Sequence, residues 1–187
     1  DGKTLAITLD YKGNPDIFLL AADYSSKRKW KVTRRVTNHH AIDTSPAFSA
    51  DGKKIAFVST RRGRAQIFMK NLAKKSSRAQ LLFSTPHRTY TPKWCRSGIR
   101  EYIAFTQLVG NKSVIFIYDV RNKNGWRATS TSAPNAENPS WSPHCNLIAY
   151  ESIGSNIGSN GIRISPIVGG RSVSLFAGPF TTPNWGK

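Results

Sequence analysis

The sequence has 187 residues, enough for one well-packed domain, and 39% of them are hydrophobic. Its 14 glycines, 10 prolines and single methionine favour many short strands and turns over long helices. The 28 lysines and arginines outnumber the 10 acidic residues, for a net charge of +18, and no window approaches the roughly 20 apolar residues of a membrane span.

The first predicted elements are two apolar strands and a more polar one. The strand around "LAI" at Leu5 is separated by a turn at Gly13 from the strand "DIFLLA", which begins at Asp16. The polar strand "RRVT" begins at Arg34. Because the chain opens directly on the strand around Leu5, this first group has no strand of the Pro-x-aromatic kind that opens the later groups.

The next group contains four predicted strands. "PAF" at Pro46 leads into the turn "SADGKK", whose Asp-Gly pair is typical of a hairpin because glycine tolerates positive φ. The strands "KIAFVS" and "QIFMKN" follow, with a basic turn at Gly63 between them, and "QLLF" ends the group. Two further groups repeat this order, with "PKW", "YIAFTQ", "SVIFIYD" and "WRATS", then "PSW", "LIAYES", "GIRISP" and "VSLF".

Two sets of matching residues share one period. The triplets beginning at Leu5, Ile55, Ile103 and Ile148 are separated by 50, 48 and 45 residues. The Pro-x-aromatic triplets at Pro46, Pro92, Pro139 and Pro183 are separated by 46, 47 and 44 residues. Four short strands in each unit of about 45 residues are typical of a β-propeller blade.

We therefore predict an all-β fold, a β-propeller of four-stranded antiparallel blades. Four blades are visible, at residues 1–44, 45–90, 91–137 and 138–182, and residues 183–187 form a closing strand. A blade is apolar on both faces and stacks against its neighbours. The closing strand pairs either with residues 1–44, in a four-bladed ring, or with a blade upstream of Asp1, in a larger ring.

The stretch "SPAFSADGKKIAFVSTRRGRAQIFMKNL", from Ser45 to Leu72, resembles the WD40-like propeller repeat of the TolB family, as do "NPSWSPHCNLIAY" and the terminal "TTPNWGK". The resemblance covers essentially the whole chain. It implies part of a six-bladed propeller in a non-enzymatic periplasmic adaptor of the Tol–Pal cell-envelope system. The implied partner is Pal, the peptidoglycan-associated lipoprotein, and we expect a monomer without a membrane span.

The connections just before each Pro-x-aromatic strand are the candidate binding site. In a propeller they lead to the innermost strands and lie around one mouth of the channel, where loops carry recognition residues. The resemblance maps the Pal-binding surface onto Thr44, Ser45, Arg88, Tyr90, Thr91, Glu137, Asn138, Thr181 and Thr182. His39, His40 and His87 stand slightly further out. With one Glu among Thr, Asn and His, this mouth is expected to be neutral to basic.

No catalytic, cofactor or metal site is predicted. The chain lacks a Gly-x-Ser-x-Gly nucleophile elbow, and "GSNIGSNG" near Gly154 does not have that spacing. It also lacks His-x-x-x-His and Cys-x-x-Cys pairs, and its carboxylates are scattered. We expect Cys95 and Cys145 to remain thiols, because corresponding turns of adjacent blades are normally too far apart for a disulfide.

Two other functions stay open. Related blades also occur in prolyl-oligopeptidase-like serine peptidases, where a hydrolase domain accompanies the propeller. The charge of +18 would suit a polyanion-binding propeller. Nucleic acid is a less favoured partner, because the aromatic residues occupy strand positions that blade packing already uses, which leaves no platform for base stacking.

Overall fold

A computed structural model describes residues 2–23, 25, 29–154, 160–168 and 170–185. Every regular element in this part of the chain is a β-strand, and the strands form antiparallel sheets. The chain divides into two compact units, residues 1–82 and 83–187. No helix among the described residues is long and apolar enough to cross a membrane.

Unit 1 contains two sheets. The first is three-stranded in the order β1-β2-β3, and the second is four-stranded in the order β4-β5-β6-β7. The strands are β1 (Thr4–Asp10), β2 (Pro15–Ala22), β3 (Trp30–Arg35), β4 (Asp43–Phe48), β5 (Lys54–Ser59), β6 (Gln66–Asn71) and β7 (Gln80–Leu81). The three-stranded sheet begins directly with β1, whereas the second sheet has the Pro-x-aromatic strand β4 at its edge.

Unit 2 contains two four-stranded sheets, in the orders β8-β9-β10-β11 and β12-β13-β14-β15. The strands are β8 (Arg88–Ser97), β9 (Arg100–Val109), β10 (Lys112–Asp119), β11 (Asn124–Arg127), β12 (Asn135–Trp141), β13 (Leu147–Ile153), β14 (Gly161–Pro166) and β15 (Val173–Ala177). The described residues after β15 lie outside the strands.

The apolar second and third strands of the sheets build the core of each unit. In unit 1 the core joins Ile17 and Val36 to Ile55, Phe57 and Phe68. Burying each of these side chains contributes about 1.5–3 kcal/mol relative to leaving it in water. The apolar runs of β5, β9 and β10 are therefore covered on both faces, as blade stacking requires, whereas β1 contains no fully buried residue.

Two cationic side chains strengthen the packing of the two sheets in unit 1. Nη1 of Arg34, on β3, donates to the carbonyl of Leu72 at 2.7 Å. In return, Nζ of Lys70, on β6, donates to the carbonyl of Val36 at 2.6 Å. Burial, followed by the charge of Arg34, lowers the pKa of Lys70. Two of the many positively charged side chains thus bind backbone carbonyls of the neighbouring sheet.

In unit 2, aromatic residues and cysteines join the two sheets. Nε1 of Trp141, on β12, donates to the carbonyl of Lys93 on β8 at 2.9 Å. The ring of Trp141 stacks on Tyr102, with centroids 6.0 Å apart, and Tyr102 makes an edge contact with Trp126. Cys145 is 2% exposed within this cluster.

The expectation that Cys95 and Cys145 remain thiols is wrong. They form a disulfide, with a Cα–Cα distance of 5.8 Å. The two residues do not occupy corresponding turns: Cys95 is inside strand β8, paired with Tyr102, whereas Cys145 is in the turn between β12 and β13. The turn of the second sheet therefore reaches the strand of the first, a contact that spacing within one repeat cannot predict.

Candidate functional site

The residue before each repeated proline has the same unusual backbone conformation. Ser45, Thr91, Asn138 and Thr182 have φ of 53°, 49°, 51° and 47°. None is glycine, and an L-residue in this left-handed region costs roughly 1–2 kcal/mol. Because strain of this kind persists only where the surrounding structure enforces it, its recurrence marks these positions as candidates for function. We call the two residues before each of these prolines a strand entrance.

A β-bulge accompanies the left-handed residue in β4, β8 and β12. The ladder shifts between Thr44 and Ala47, between Tyr90 and Lys93, and between Glu137 and Ser140. At each shift, the left-handed residue and its proline together oppose one aromatic residue on the neighbouring strand: Phe57, Phe105 or Tyr150. Proline is tolerated there because a bulge leaves a backbone N–H unpaired, and bulges redirect the side chains beside them.

In unit 2, one hydroxyl connects two strand entrances. Oγ1 of Thr106, on β9, lies 3.1 Å from Oγ1 of Thr91 and accepts a hydrogen bond from the backbone N–H of Asn138 at 3.2 Å. Thr106 is 4% exposed. The entrances of β8 and β12 are therefore held in a defined relation by a buried residue that the sequence analysis did not identify.

Two carboxylates lie at the entrance of β12. Oγ of Ser113 donates to Glu137 at 2.8 Å, and Nδ2 of Asn138 donates to Glu151 at 2.8 Å. Glu137 and Glu151 are cross-strand partners. Neutral donors thus orient both groups without removing their charge. Glu151 was missed because it lies 13 residues after Asn138, and only the hairpin between β12 and β13 brings it back.

The remaining predicted residues of unit 2 are more exposed. Arg88 is exposed at the start of β8, and Tyr90, two residues further on, is half-buried. Thr181 and Thr182 are exposed and lie outside the strands. Nearby, the backbone N–H of Trp185 donates to Oγ of Ser140 on β12 at 3.1 Å. His87 is half-buried, and its backbone N–H donates to Oγ1 of Thr85 at 3.2 Å.

In unit 1, the entrance formed by Thr44 and Ser45 is half-buried and adjoins a buried ion pair. Asp43 is 0% exposed, and Nη2 of Arg61 donates to its Oδ2 at 2.7 Å. The guanidinium of Arg61 also lies over Phe68, 4.8 Å from the ring centroid. The sequence analysis did not identify the ion pair between Asp43 and Arg61.

The histidines of unit 1 lie in the connection to this entrance. His39 is half-buried and its ring is 4.1 Å from that of His40, measured between centroids. Nδ1 of His39 accepts a hydrogen bond from the backbone N–H of Ala41 at 3.0 Å. Burial, followed by the positive charge of Arg61, lowers the pKa of His39 below its ordinary value of 6.5.

The charge of the entrances therefore differs between the units. In unit 1 the neighbourhood of Thr44 carries histidines and Arg61, whose charge is paired with the buried carboxylate of Asp43. In unit 2 the entrance of β12 carries Glu137 and Glu151, so it offers hydrogen-bond acceptors and negative charge. A partner of the unit 2 surface can accordingly present N–H or cationic groups to β12.

Comparisons with known proteins agree with this architecture. The model of the TolB beta propeller domain matches residues 1–187. The Tol-Pal system protein TolB of Helicobacter pylori is 41% identical over 83 residues, covering 44% of this chain and 18% of that protein. The crystal structure of TolB from Acinetobacter baumannii superposes with a TM-score of 0.72 and 20% identity, covering 95% of this chain and 41% of that one.

A puromycin-hydrolysing peptidase of Mycobacterium tuberculosis also shares the fold, with a TM-score of 0.67 and 11% identity, covering 98% of this chain and 28% of the peptidase. The chain thus spans less than two thirds of each of these proteins. The comparisons confirm the predicted all-β propeller fold and the resemblance to TolB. The chain belongs to the TolB β-propeller family.

Proposed function

We propose that this chain is the partner-binding propeller part of a periplasmic, non-enzymatic adaptor of the Tol–Pal system, and that it binds Pal through its strand entrances. The proposal rests on membership of the TolB family and on the name of the Helicobacter pylori relative, a Tol-Pal system protein. Thr44, Ser45, Arg88, Tyr90, Thr91, Glu137, Asn138, Thr181 and Thr182 supply the binding surface.

The observation that carries the proposal is the repeated left-handed residue before proline. Four non-glycine residues in equivalent positions hold a conformation that costs free energy. The adjoining bulges begin directly after Thr44, Tyr90 and Glu137, which are the last regularly paired residues before the shift in register. Such a preorganised display lowers the entropy cost of binding a folded partner.

The chemistry of the unit 2 entrances suits protein recognition. Tyr90 and Arg88 belong to residue types that dominate binding energy at interfaces. Glu137 and Glu151 are held by Ser113 and Asn138 and can accept hydrogen bonds from a partner's backbone or lysine groups. A surface with both donors and acceptors discriminates between partners by charge complementarity.

The test is calorimetric titration of the 187-residue chain with the soluble domain of Pal. We expect saturable binding, weakened at least about tenfold by Tyr90→Ala, because interface tyrosines commonly contribute 2 kcal/mol or more. Glu137→Gln keeps the shape of the side chain and removes its charge, and we expect a smaller loss. Lys74→Gln, at an exposed residue of the β6–β7 turn, is the matched control and leaves the affinity unchanged. Absence of binding, or equal losses in Tyr90→Ala and Lys74→Gln, contradicts the proposal.

The peptidase alternative receives no specific support, because a likeness at 11% identity concerns the fold alone. It would require a hydrolase domain encoded in the same reading frame, which the flanking gene sequence reveals directly. Polyanion binding would instead give an affinity that falls steeply with salt, in proportion to the number of phosphates contacted. A Pal affinity that changes little between low and physiological salt therefore separates the two binding modes.

A further inference from the structure

Unit 2 has a second candidate surface at the end of its sheets opposite the strand entrances. The β8–β9 and β10–β11 hairpin turns lie at this end of one sheet, and the turns β12–β13 and β14–β15 lie at this end of the other. We call this end the hairpin surface. It carries the exposed basic residues Arg96, Arg100, Arg121, Lys123 and Arg171. The strand entrances β8 and β12 lie at the other end of the same strands, so the two surfaces are distinct.

A pocket of about 490 Å³ opens on the hairpin surface. Ile99 and Val168 line it and are 76% and 74% exposed. The other lining residues are Arg100, Tyr102, Asp119, Arg121 and Asn122. The pocket takes residues from both sheets of unit 2, which the disulfide and the Trp141 hydrogen bond hold together.

The two guanidinium groups at the pocket are available for a ligand. Among the described residues, the side chains of Arg100 and Arg121 make no hydrogen bond or ion pair. The nearby carboxylate of Asp119 is 6% exposed and accepts hydrogen bonds from the backbone N–H groups of Arg121 and Asn122 and from Nδ2 of Asn122. These hydrogen bonds orient Asp119 in its own turn without removing its charge. Two guanidinium groups thus stand against one largely buried carboxylate, and the pocket keeps a net positive charge.

We propose that the hairpin surface binds an acidic peptide segment in which an aliphatic or aromatic side chain lies between carboxylates. The apolar side chain enters the space between Ile99 and Val168, and the carboxylates pair with Arg100 and Arg121. Guanidinium groups bind carboxylates through two parallel hydrogen bonds, which gives orientation as well as attraction. Charge complementarity and the two exposed aliphatic side chains together select this class of ligand.

Two other anionic partners fit the geometry less well. A lipid bilayer would meet the exposed tips of Ile99 and Val168 but would leave the pocket between them unfilled. Nucleic acid would need an exposed aromatic face for base stacking. Tyr102 is 7% exposed, and its ring is already engaged with Trp126 and Trp141.

The experiment titrates the 187-residue chain with acetylated, amidated heptapeptides GDEXDEG, in which X is Leu, Ile or Phe, using isothermal titration calorimetry at physiological salt. Two control peptides are GNQLNQG, which lacks charge, and GDEGDEG, which lacks the apolar centre. We expect at least one member of the GDEXDEG panel to bind and both controls to bind at least about tenfold more weakly, because each control lacks one of the two parts that the pocket recognises.

Matched variants locate the binding. Arg100→Gln with Arg121→Gln removes two positive charges at the pocket, and Lys74→Gln with Lys75→Gln removes two exposed charges from unit 1. We expect about a tenfold loss from the first pair and little change from the second. Ile99→Ser with Val168→Ser retains the charge and should abolish the preference for GDELDEG over GDEGDEG. Circular dichroism and urea unfolding establish that each variant is folded.

Three results would overturn the proposal: no binding by any GDEXDEG peptide, equal losses in the two charge-removing pairs, or equal affinity for GDEGDEG and for the tightest-binding GDEXDEG peptide. Vesicles of phosphatidylglycerol that bind through Arg100 and Arg121 when the peptides do not would assign the surface to lipid instead. The Pal titration of the Arg100→Gln, Arg121→Gln variant is expected to be unchanged. Failure of this proposal is thereby distinguishable from failure of the proposed adaptor function.

Discussion

The buried hydroxyl of Thr106 accepts a hydrogen bond from the backbone N–H of Asn138, a residue of the neighbouring sheet, at 3.2 Å. The same hydroxyl is 3.1 Å from Oγ1 of Thr91. It therefore supports two left-handed residues of the strand entrances at once. Positioning of this kind is one way in which strained backbone at a binding surface is maintained.

Replacement of Thr106 by valine should test this support. The equivalent position in the second sheet, opposite Thr44, is naturally Val58, so valine fits the local packing. We expect Thr106→Val to lower the free energy of unfolding by about 1–2 kcal/mol, because the N–H of Asn138 loses its partner in a buried site. Urea unfolding measures the loss. The reciprocal substitution Val58→Thr is the control. A Thr106→Val variant as stable as the parent would show that the hydroxyl does not support the strand entrances.

Removal of the disulfide should destabilise unit 2. Cys95 and Cys145 are 50 residues apart, and closing a loop of this length stabilises a fold by roughly 4 kcal/mol through the entropy of the unfolded chain, with measured values commonly at 2–4. We expect the Cys95→Ala, Cys145→Ala variant to lose about this much in urea unfolding. Dithiothreitol should produce a similar loss in the parent and none in the variant. If dithiothreitol leaves the unfolding midpoint of the parent unchanged, the disulfide between Cys95 and Cys145 is contradicted.

The left-handed backbone at Ser45 should make a glycine variant more stable than an alanine variant, the reverse of the usual order. In an ordinary strand, glycine is less stable than alanine by roughly 0.5–1 kcal/mol. At a φ of 53°, glycine relieves strain that alanine retains. We expect Ser45→Gly to be more stable than Ser45→Ala by about 1 kcal/mol in thermal or urea unfolding. At Ser174, an exposed residue of β15, the alanine variant should be more stable than the glycine variant. If the alanine variant is also the more stable one at Ser45, the backbone there is not strained.

Acidification should weaken the fold through His39. Because the pKa of His39 is lowered in the folded state, the unfolded chain takes up a proton first as the pH falls through the ordinary value of 6.5. The contribution of His39 is therefore fully present above pH 6.5 and is lost as the pH falls towards the lower folded pKa.

The measurement compares urea unfolding of the parent and of His39→Asn at pH 8 and pH 5. Asparagine keeps an acceptor for the N–H of Ala41 and does not titrate. We expect the parent to lose more stability than the variant between the two pH values. Equal losses would mean that protonation of His39 is not coupled to folding.

The sequence determined the repeat and the order of strands because both depend on short-range patterns. The apolar run "KIAFVS" and the Asp-Gly turn before it lie within one hairpin, so local chemistry suffices to read them. The spacing of Pro46, Pro92 and Pro139 shows how often that local pattern recurs. The polar fourth strands were placed less well: "RRVT" was expected from Arg34, whereas β3 runs from Trp30 to Arg35. Edge strands with few buried side chains carry little hydrophobic periodicity.

Only the tertiary structure decided the contacts between sheets. The disulfide, the shared hydroxyl of Thr106 and the carboxylate of Glu151 at the entrance of β12 all depend on how one hairpin packs against another. The left-handed φ of Ser45, Thr91, Asn138 and Thr182 also became visible there, since the residue types alone do not require it. Spacing within a repeat specifies which strands and turns a blade contains. Packing between blades specifies which side chains are in contact, and the candidate sites consist of such contacts.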